Sequence, residues 1–245
     1  MNDGPAYERL ADELRHAILD GDLSGRLPSL QGIADRYATT PDIARRAIDV
    51  LRSEGLVVTK QGAGTYTRRF QRIIRSSPDR LAADRWGAGR KIQDADTGVR
   101  PRAVDVVVAE EPAPEYVADA LAVQPGDPVL TRSRRFVVEG RPVQLATSYL
   151  PLDVAGGRIA YTDVGPGGTY ARLAEIGHAP VRFTERVTAR APRPEEVERL
   201  ELATSVGALV VEILRYAYTE AGRCIEVNRM VLDATAYTLE YTFTA

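Results

Sequence analysis

Residues 27–67 hold the pattern that most narrows what this chain can fold into: LPSLQGIADRYATTPDIARRAIDVLRSEGLVVTKQGAGTYT. Ile33, Ala34 and Tyr37 recur at helical spacing behind Ser29, whose hydroxyl can cap a helix N-terminus. Residues 38–40 make a short turn. Thr40 is a second N-cap, and Pro41 suits a first helical position, where its missing N–H has no helical partner to lose. Ile43, Ala44, Ala47, Ile48 and Leu51 form the inner stripe of the next helix, which ends near Gly55. Asp42, Arg45, Arg46 and Asp49 fall outside that stripe. Two β-rich runs, 56–60 and 65–69, then flank the hairpin loop Gln61-Gly62-Ala63-Gly64.

Ahead of this stretch, Tyr7, Leu10, Leu14 and Ile18 mark an amphipathic helix over about residues 5–21. Helix, helix, turn, helix and hairpin in that order make a winged helix-turn-helix, a device for placing one helix in a DNA groove. The charge distribution agrees. The chain carries 32 Lys and Arg against 34 Asp and Glu, a net charge of −2, yet residues 41–75 hold eight basic residues and three acidic ones. A basic tract on a mildly acidic chain is the electrostatic footprint of a nucleic-acid binder; an ordinary solvated charged face is the competing reading. The residues expected at DNA are Ser29, Gln31, Thr39, Thr40, Arg45 and Arg46, with Lys60, Gln61, Gly62 and Gly64 on the wing. Arg45 and Arg46 stand near the N-terminal end of the recognition helix, where donors for guanine edges or phosphates are needed.

The composition closes off other classes. No apolar run approaches the roughly 20 residues of a membrane span, and the N-terminus lacks the apolar segment of a signal peptide. A cytoplasmic location without membrane contact is therefore expected. The single Cys224 cannot form an internal disulfide, and His16 and His178 give no ligand spacing, so no metal and no cofactor are expected.

Residues 101–245 read as a second domain of strands and short helices, giving an α+β chain overall: a winged domain over 1–70, a linker over 71–100 and the second domain after it. Strands are expected at 103–109, 129–138, 143–150, 183–191, 210–219, 225–232 and 237–244, with helices near 114–121, 169–176 and 194–202. A pattern recurs: Leu121-x4-Gly126-Asp127-Pro128-Val129 before one hairpin, Leu202-x4-Gly207-Ala208-Leu209-Val210 before the other, an internal pseudo-repeat. Strand alternation puts Arg132 and Arg134 on one face, Ser133 and Arg135 on the other. Two arginines on an inward face are costly to bury without an anion and could fork a phosphate or carboxylate; a solvated sheet face is the alternative. Gly167-Gly168 before a helix offers backbone N–H groups to an anion, or simply a flexible connection. Trp86, the only tryptophan, lies at the domain junction, as core or as a sensor.

Several of these pieces together resemble the GntR family of bacterial transcription regulators: Leu27-Pro28-Ser29, Ile33-Ala34, the 45–51 stretch, Glu54-Gly55-Leu56-Val57 and Gln61-Gly62-x-Gly64-Thr65-Tyr66. Leu30-Gln31 and Thr40-Pro41-Asp42-Ile43 depart from the family's usual Glu-Arg and Ser-Arg-x-Thr. The repeated helix–hairpin pair, with Ser148-Tyr149-Leu150-Pro151 after the first hairpin, resembles the UTRA effector domain of the HutC subfamily. That resemblance implies an antiparallel sheet flanked by helices, similar to chorismate lyase. It also implies a homodimer, a double-stranded operator, repression, and a small anionic effector, a phosphorylated sugar or a carboxylate. On the family's pattern Arg132, Arg134 and Thr169 would hold a phosphate and Glu226 a sugar. Gln144 replaces a usual Glu, and Trp86 and Tyr149 complete the candidate effector set. Two other readings compete: an enzyme, a lyase or transferase on the same fold, against which no Ser/His/Asp or Cys/His set appears, and a winged protein-interaction module, which the basic tract disfavours.

Overall fold

The computed structural model describes residues 5–20, 22–60, 62–67, 72–77, 79–84, 101–138, 140–155, 157–160, 162–202 and 208–243. They belong to two compact units, Met1–Gln71 with Leu202–Ala208, and Arg72–Glu201 with Leu209–Ala245.

In the first unit α1 (Ala6–Leu19), α2 (Leu30–Arg36) and α3 (Pro41–Ser53) precede the hairpin of β1 (Val57–Lys60) and β2 (Gly64–Thr67). The caps act as the sequence implies. Ser29 Oγ accepts from Gly32 N at 3.1 Å and Thr40 Oγ1 from Ile43 N at 3.3 Å. Ala44, Ala47, Ile48 and Leu51 of α3 pack against Leu10, Leu14 and Ile18 of α1 in one apolar cluster. Arg15 of α1 reaches Glu54, past the end of α3, through Nε at 2.7 Å. The hairpin gains a third member: Arg26 bridges to Tyr66, and Leu27 N donates to Thr65 O at 2.8 Å.

The second unit is built on a six-stranded antiparallel sheet. Its strands are β4 (Arg102–Pro112), β5 (Pro128–Val138), β6 (Arg141–Pro151), β7 (Arg182–Arg190), β8 (Val210–Tyr218) and β9 (Cys224–Asp233), in the order β4-β5-β6-β9-β8-β7. That order is the internal repeat made visible. Each half runs strand, helix, hairpin, with α4 (Glu115–Leu121) in the first and α6 (Pro194–Leu200) in the second. The halves meet where β6 pairs with β9, with Thr147 opposite Arg229. A further helix, α5 (Gly168–Glu175), covers one face with Tyr170 and Leu173 against Leu130, Leu150 and Ala217. α4 covers the other through Val117 and Leu121 against Val129, Tyr216 and Val227.

Two expectations differ in position. The stretch expected as a linker contains β3 (Ile73–Ser77), and the final strand β10 (Tyr237–Tyr241) pairs in parallel with it, not with the main sheet. Arg75, counted above in the basic tract, is 1% exposed on β3 and bonded to Glu185, so it belongs to the core of the second unit and not to a DNA-facing surface. The period-2 pattern of Ile73, Arg75 and Ser77, all buried, seats β3 as a strand, because burying the guanidinium there satisfies a carboxylate.

On the α4 face the sheet is held by a closed ion network. Glu196 accepts from Arg190 Nη1 at 2.7 Å, from Arg229 Nη2 at 2.8 Å and from Arg193 N at 2.8 Å. Glu212 shares both arginines. Burial opposes the Glu196 charge, but Arg190, the Arg193 N–H and Arg229 outweigh it and hold its pKa at about 2. A pKa depressed below the unfolded value stabilises the fold above about pH 4.3, and that stabilisation is lost as pH falls towards the folded pKa. Glu196→Gln should therefore cost about 3 kcal/mol at neutral pH. It should also flatten the loss of stability on acidification below about pH 4 relative to wild type. Urea unfolding of both proteins across that range checks it; parallel curves would contradict it.

Candidate DNA face and anion cavity

On α3 the guanidinium groups of Arg45 and Arg46 lie outside the apolar stripe, 61% and 65% exposed, each within 3.3–3.5 Å of Asp42. Exposed pairs of this kind are worth about 0–1 kcal/mol, so both arginines can turn to an outside anion at little cost. Gln31 is exposed on α2 and bonded to Asp35 at 2.7 Å. Ser29 and Thr40 use their hydroxyls as caps, and Thr39 sits half-buried in the turn. Arg52 points elsewhere, donating to Asp49 and, at 2.8 Å, to Thr59, which ties α3 to β1.

The wing presents Lys60, its ammonium 5.4 Å from the Tyr66 ring centroid, and exposed Gly62. Gln61 lies outside the described residues. Gly64 has φ +104°, and a Cβ there would stand 3.0 Å from Arg26 Nε. Arg26, which no motif of the sequence singles out, thus lies against the wing because Gly64 has no side chain. Gly64→Ala should destabilise the winged unit by about 1–3 kcal/mol and weaken DNA binding; urea unfolding and a mobility-shift titration measure the two effects.

On the α5 face of the sheet in the second unit lies a cavity of about 630 Å³. Even-numbered residues reach it from four strands: Val106 of β4; Arg132, Arg134 and Phe136 of β5; Gln144 and Ala146 of β6; Glu226, Asn228 and Met230 of β9. This is the pleat's alternation. Arg215 of β8 and Arg80 add to the wall, and Gly167, Gly168, Thr169 and Tyr170 close it with the first turn of α5. Its lining holds five arginines, with Arg102 the fifth, against two acids, Asp163 and Glu226, so the wall is cationic.

The two arginines of β5 differ in what they hold. Arg132, 2% exposed, donates to Ile159 O at 3.0 Å and Thr162 O at 3.3 Å, fastening the loop that leads to α5. Burial, then the neighbouring Arg134, push its pKa down to about 10. Arg134 donates to Ser148 Oγ and has no carboxylate ion pair among the described residues. Burial lowers its pKa too. The pseudo-repeat shows why this arginine stands alone. Arg134 is in register with Ala146 and Arg215 with Asn228, equivalent places in the two hairpins. Arg215 faces Glu185 across the β7–β8 pair and bonds it at 2.7–2.8 Å. Where Arg134 needs the same partner, β4 shifts register between Val104 and Val107, with Asp105 at φ 52°. The Asp105 carboxylate goes to Arg135, 2.7 Å away. One half of the repeat neutralises its arginine and the other leaves it charged in the cavity. Applying the repeat to the sequence would have found Arg215, which reading the motifs alone misses.

Glu226, 2% exposed, has a bare Oε2, and Asn228 a bare Oδ1. Gln144 accepts from Tyr237 OH at 3.3 Å. Of the expected effector residues, then, Arg132, Arg134, Gln144, Thr169 and Glu226 share one cavity. Tyr149 does not line it. Gln144 and Ser148 set the phase of β6, so Tyr149 falls on the opposite face, where its ring meets Tyr116 edge-on at 6.3 Å. Trp86 lies outside the described residues.

Comparison with known proteins decides the family. The gntR family of bacterial regulatory proteins matches residues 6–67, and the UTRA domain matches residues 96–238. The chain belongs to the GntR family, with a UTRA domain. An HTH-type transcriptional regulator of Streptomyces coelicolor is 30% identical over 98% of this chain and 93% of its own length. One of Rhizobium meliloti is 31% identical over 91% and 88%. Among solved structures, a GntR-family transcriptional regulator superposes with a TM-score of 0.58 at 29% identity, covering 99% of both chains. This GntR-family member is accordingly a transcriptional regulator with a DNA-binding winged helix-turn-helix and a UTRA effector domain, on the α+β fold expected for it.

Proposed function

We propose that this regulator is a homodimeric repressor that reads a pseudo-palindromic operator with two copies of α3 and the wing, and that a small anionic metabolite in the UTRA cavity controls it. Arg45, Arg46 and Lys60 would contact phosphates or base edges. Gly62 and Gly64 would let the wing backbone approach the duplex. The observation that carries the effector reading is Arg134, a charged fork in the cavity wall that donates to Ser148 Oγ, has no carboxylate ion pair among the described residues, and feels Glu226 only from beyond ion-pair distance. An anion held by Arg134 and the first N–H groups of α5 beside Thr169 would supply the missing charge. The bare acceptors of Glu226 and Asn228 call for hydrogen-bond donors on the same ligand. A hydroxyl-bearing phosphate or carboxylate, such as a phosphorylated sugar, meets both demands.

The test is a mobility-shift titration with duplex from upstream of the protein's own gene, repeated over a salt series and with added sugar phosphates. Light scattering gives the assembly state. Binding that falls steeply with salt and is released by a sugar phosphate, by a particle of two chains, is the expected result. Salt-independent binding, or release by neutral sugars alone, would contradict it.

A further inference from the structure

The cavity wall is joined to β3 by a buried charge cluster that the anion reading does not use. Glu185 of β7 receives Arg215 of β8, whose Nε lies 2.8 Å from Oε1, and on the same oxygen Arg75 of β3. All three are buried, at 1% exposure for Arg75, 3% for Arg215 and 8% for the Glu185 side chain. Burial opposes the Glu185 charge, and Arg215 and Arg75 outweigh it, with Arg80 adding to them. Arg215 and Arg80 belong to the cavity lining, while Arg75 and Glu185 stand behind it. Arg75 touches the wall a second way, through Nη1 to Met230 Sδ at 3.5 Å. Glu185 Oε2 has no hydrogen-bond partner, so one oxygen serves both arginines. An arrangement of two cations on one oxygen is sensitive to any new anion within reach of either cation.

β3 is the segment through which such a change would leave the domain. In sequence it opens directly after the winged unit, and it is held by the parallel pairing with β10 and by Arg75. We propose that the Arg75–Glu185–Arg215 cluster reports occupation of the cavity to β3, the strand that continues from the DNA-reading unit. The proposal rests on the anion reading of that cavity. An anion beside Arg134 competes with Glu185 for Arg215. Glu185 then loses one of the two arginines that hold its Oε1, and its bond to Arg75 is released from the three-way geometry that fixes it. The coupling is therefore electrostatic at the cavity and mechanical at β3, and it needs no movement of the sheet as a whole.

Inorganic phosphate titrated into the full chain tests this, with binding followed by calorimetry and backbone amide exchange by mass spectrometry. In the wild type, amides of β3 and β10 are expected to exchange about threefold faster, or more, with phosphate bound. Glu185→Gln removes the competing carboxylate, so it should bind phosphate at least as tightly as wild type and lose that response. Arg75→Met, the second variant should the first not fold, should do the same. Phosphate binding that leaves β3 exchange unchanged in the wild type overturns the proposal, and so does a response that survives in the variants. If phosphate does not bind at all, the anion reading falls, and the cluster is judged in the ligand-free chain. There Arg215→Met must speed exchange of β3 about tenfold while β5 and β6 keep their protection; unchanged β3 exchange overturns the link.

Discussion

Arg134→Met is expected to lower affinity for a phosphorylated effector by about thirtyfold or more, because truncating one partner of a buried charged contact costs roughly 2–5 kcal/mol. The same change should leave the ligand-free protein as stable as wild type or more so. Arg134 donates to Ser148 Oγ, and burial, with the neighbouring Arg215, works against its charge more than Glu226 and Tyr170 favour it. Replacing such a group with a methionine of similar length removes a desolvation cost and breaks no carboxylate ion pair among the described residues, and the favourable influence of Glu226 that goes with it is the smaller effect. Opposite movement of affinity and stability is the signature of a residue kept for a ligand. Arg135→Ala is the control: its guanidinium lies on the other face with Asp105, and effector affinity should not move. Calorimetry and thermal unfolding of both variants provide the readouts. Wild-type affinity in Arg134→Met would remove this cavity as the anion site.

Arg45→Ala is expected to weaken operator binding by about fivefold or more in each half-site, since a forked contact to a base or phosphate is worth about 1–3 kcal/mol. Two half-sites in a dimer would double that free energy. Folding should be untouched, because the pair with Asp42 is on the surface and 61% exposed on the arginine side. If Arg45 meets a phosphate, the slope of log affinity against log salt should fall by about one for each phosphate no longer neutralised. If it meets a guanine, the slope should change less and base preference should relax at one position. Arg52→Ala makes the informative contrast. Arg52 ties α3 to β1 through Thr59, so its loss should act on stability of the winged unit first. Unchanged DNA affinity in Arg45→Ala would take α3 out of the recognition role.

These two arginines also show how far reading the residues reaches. Arg45 is legible because a helix repeats every 3.6 residues, and five apolar positions on α3 leave its outer face by subtraction. Arg134 is legible as a face-mate of Arg132 because a strand repeats every two. Tyr149 is misplaced when the motif at the strand's end is followed instead of that phase: with Gln144 and Ser148 inward, an odd position must point away. Arg75 is misplaced because counting charge along a segment carries no information about burial. The pseudo-repeat, visible as two spaced glycine motifs, gives two equivalent three-stranded halves, while the pairing of β6 with β9 that joins them in the order β4-β5-β6-β9-β8-β7 is decided by the fold.

Sequence alone determined what depends on neighbours within a few residues: helix stripes and caps, hairpin turns, the faces of each strand, and the family motifs carried by them. Tertiary structure alone decided which charges have partners. Glu185 meets Arg215 from 30 residues away and Arg75 from 110, while the register shift in β4 denies Arg134 the equivalent carboxylate. Partners so distant come together only when the sheet closes. That closure makes Arg215 part of a buried link and leaves Arg134 charged in the cavity, though the repeat gives them the same place.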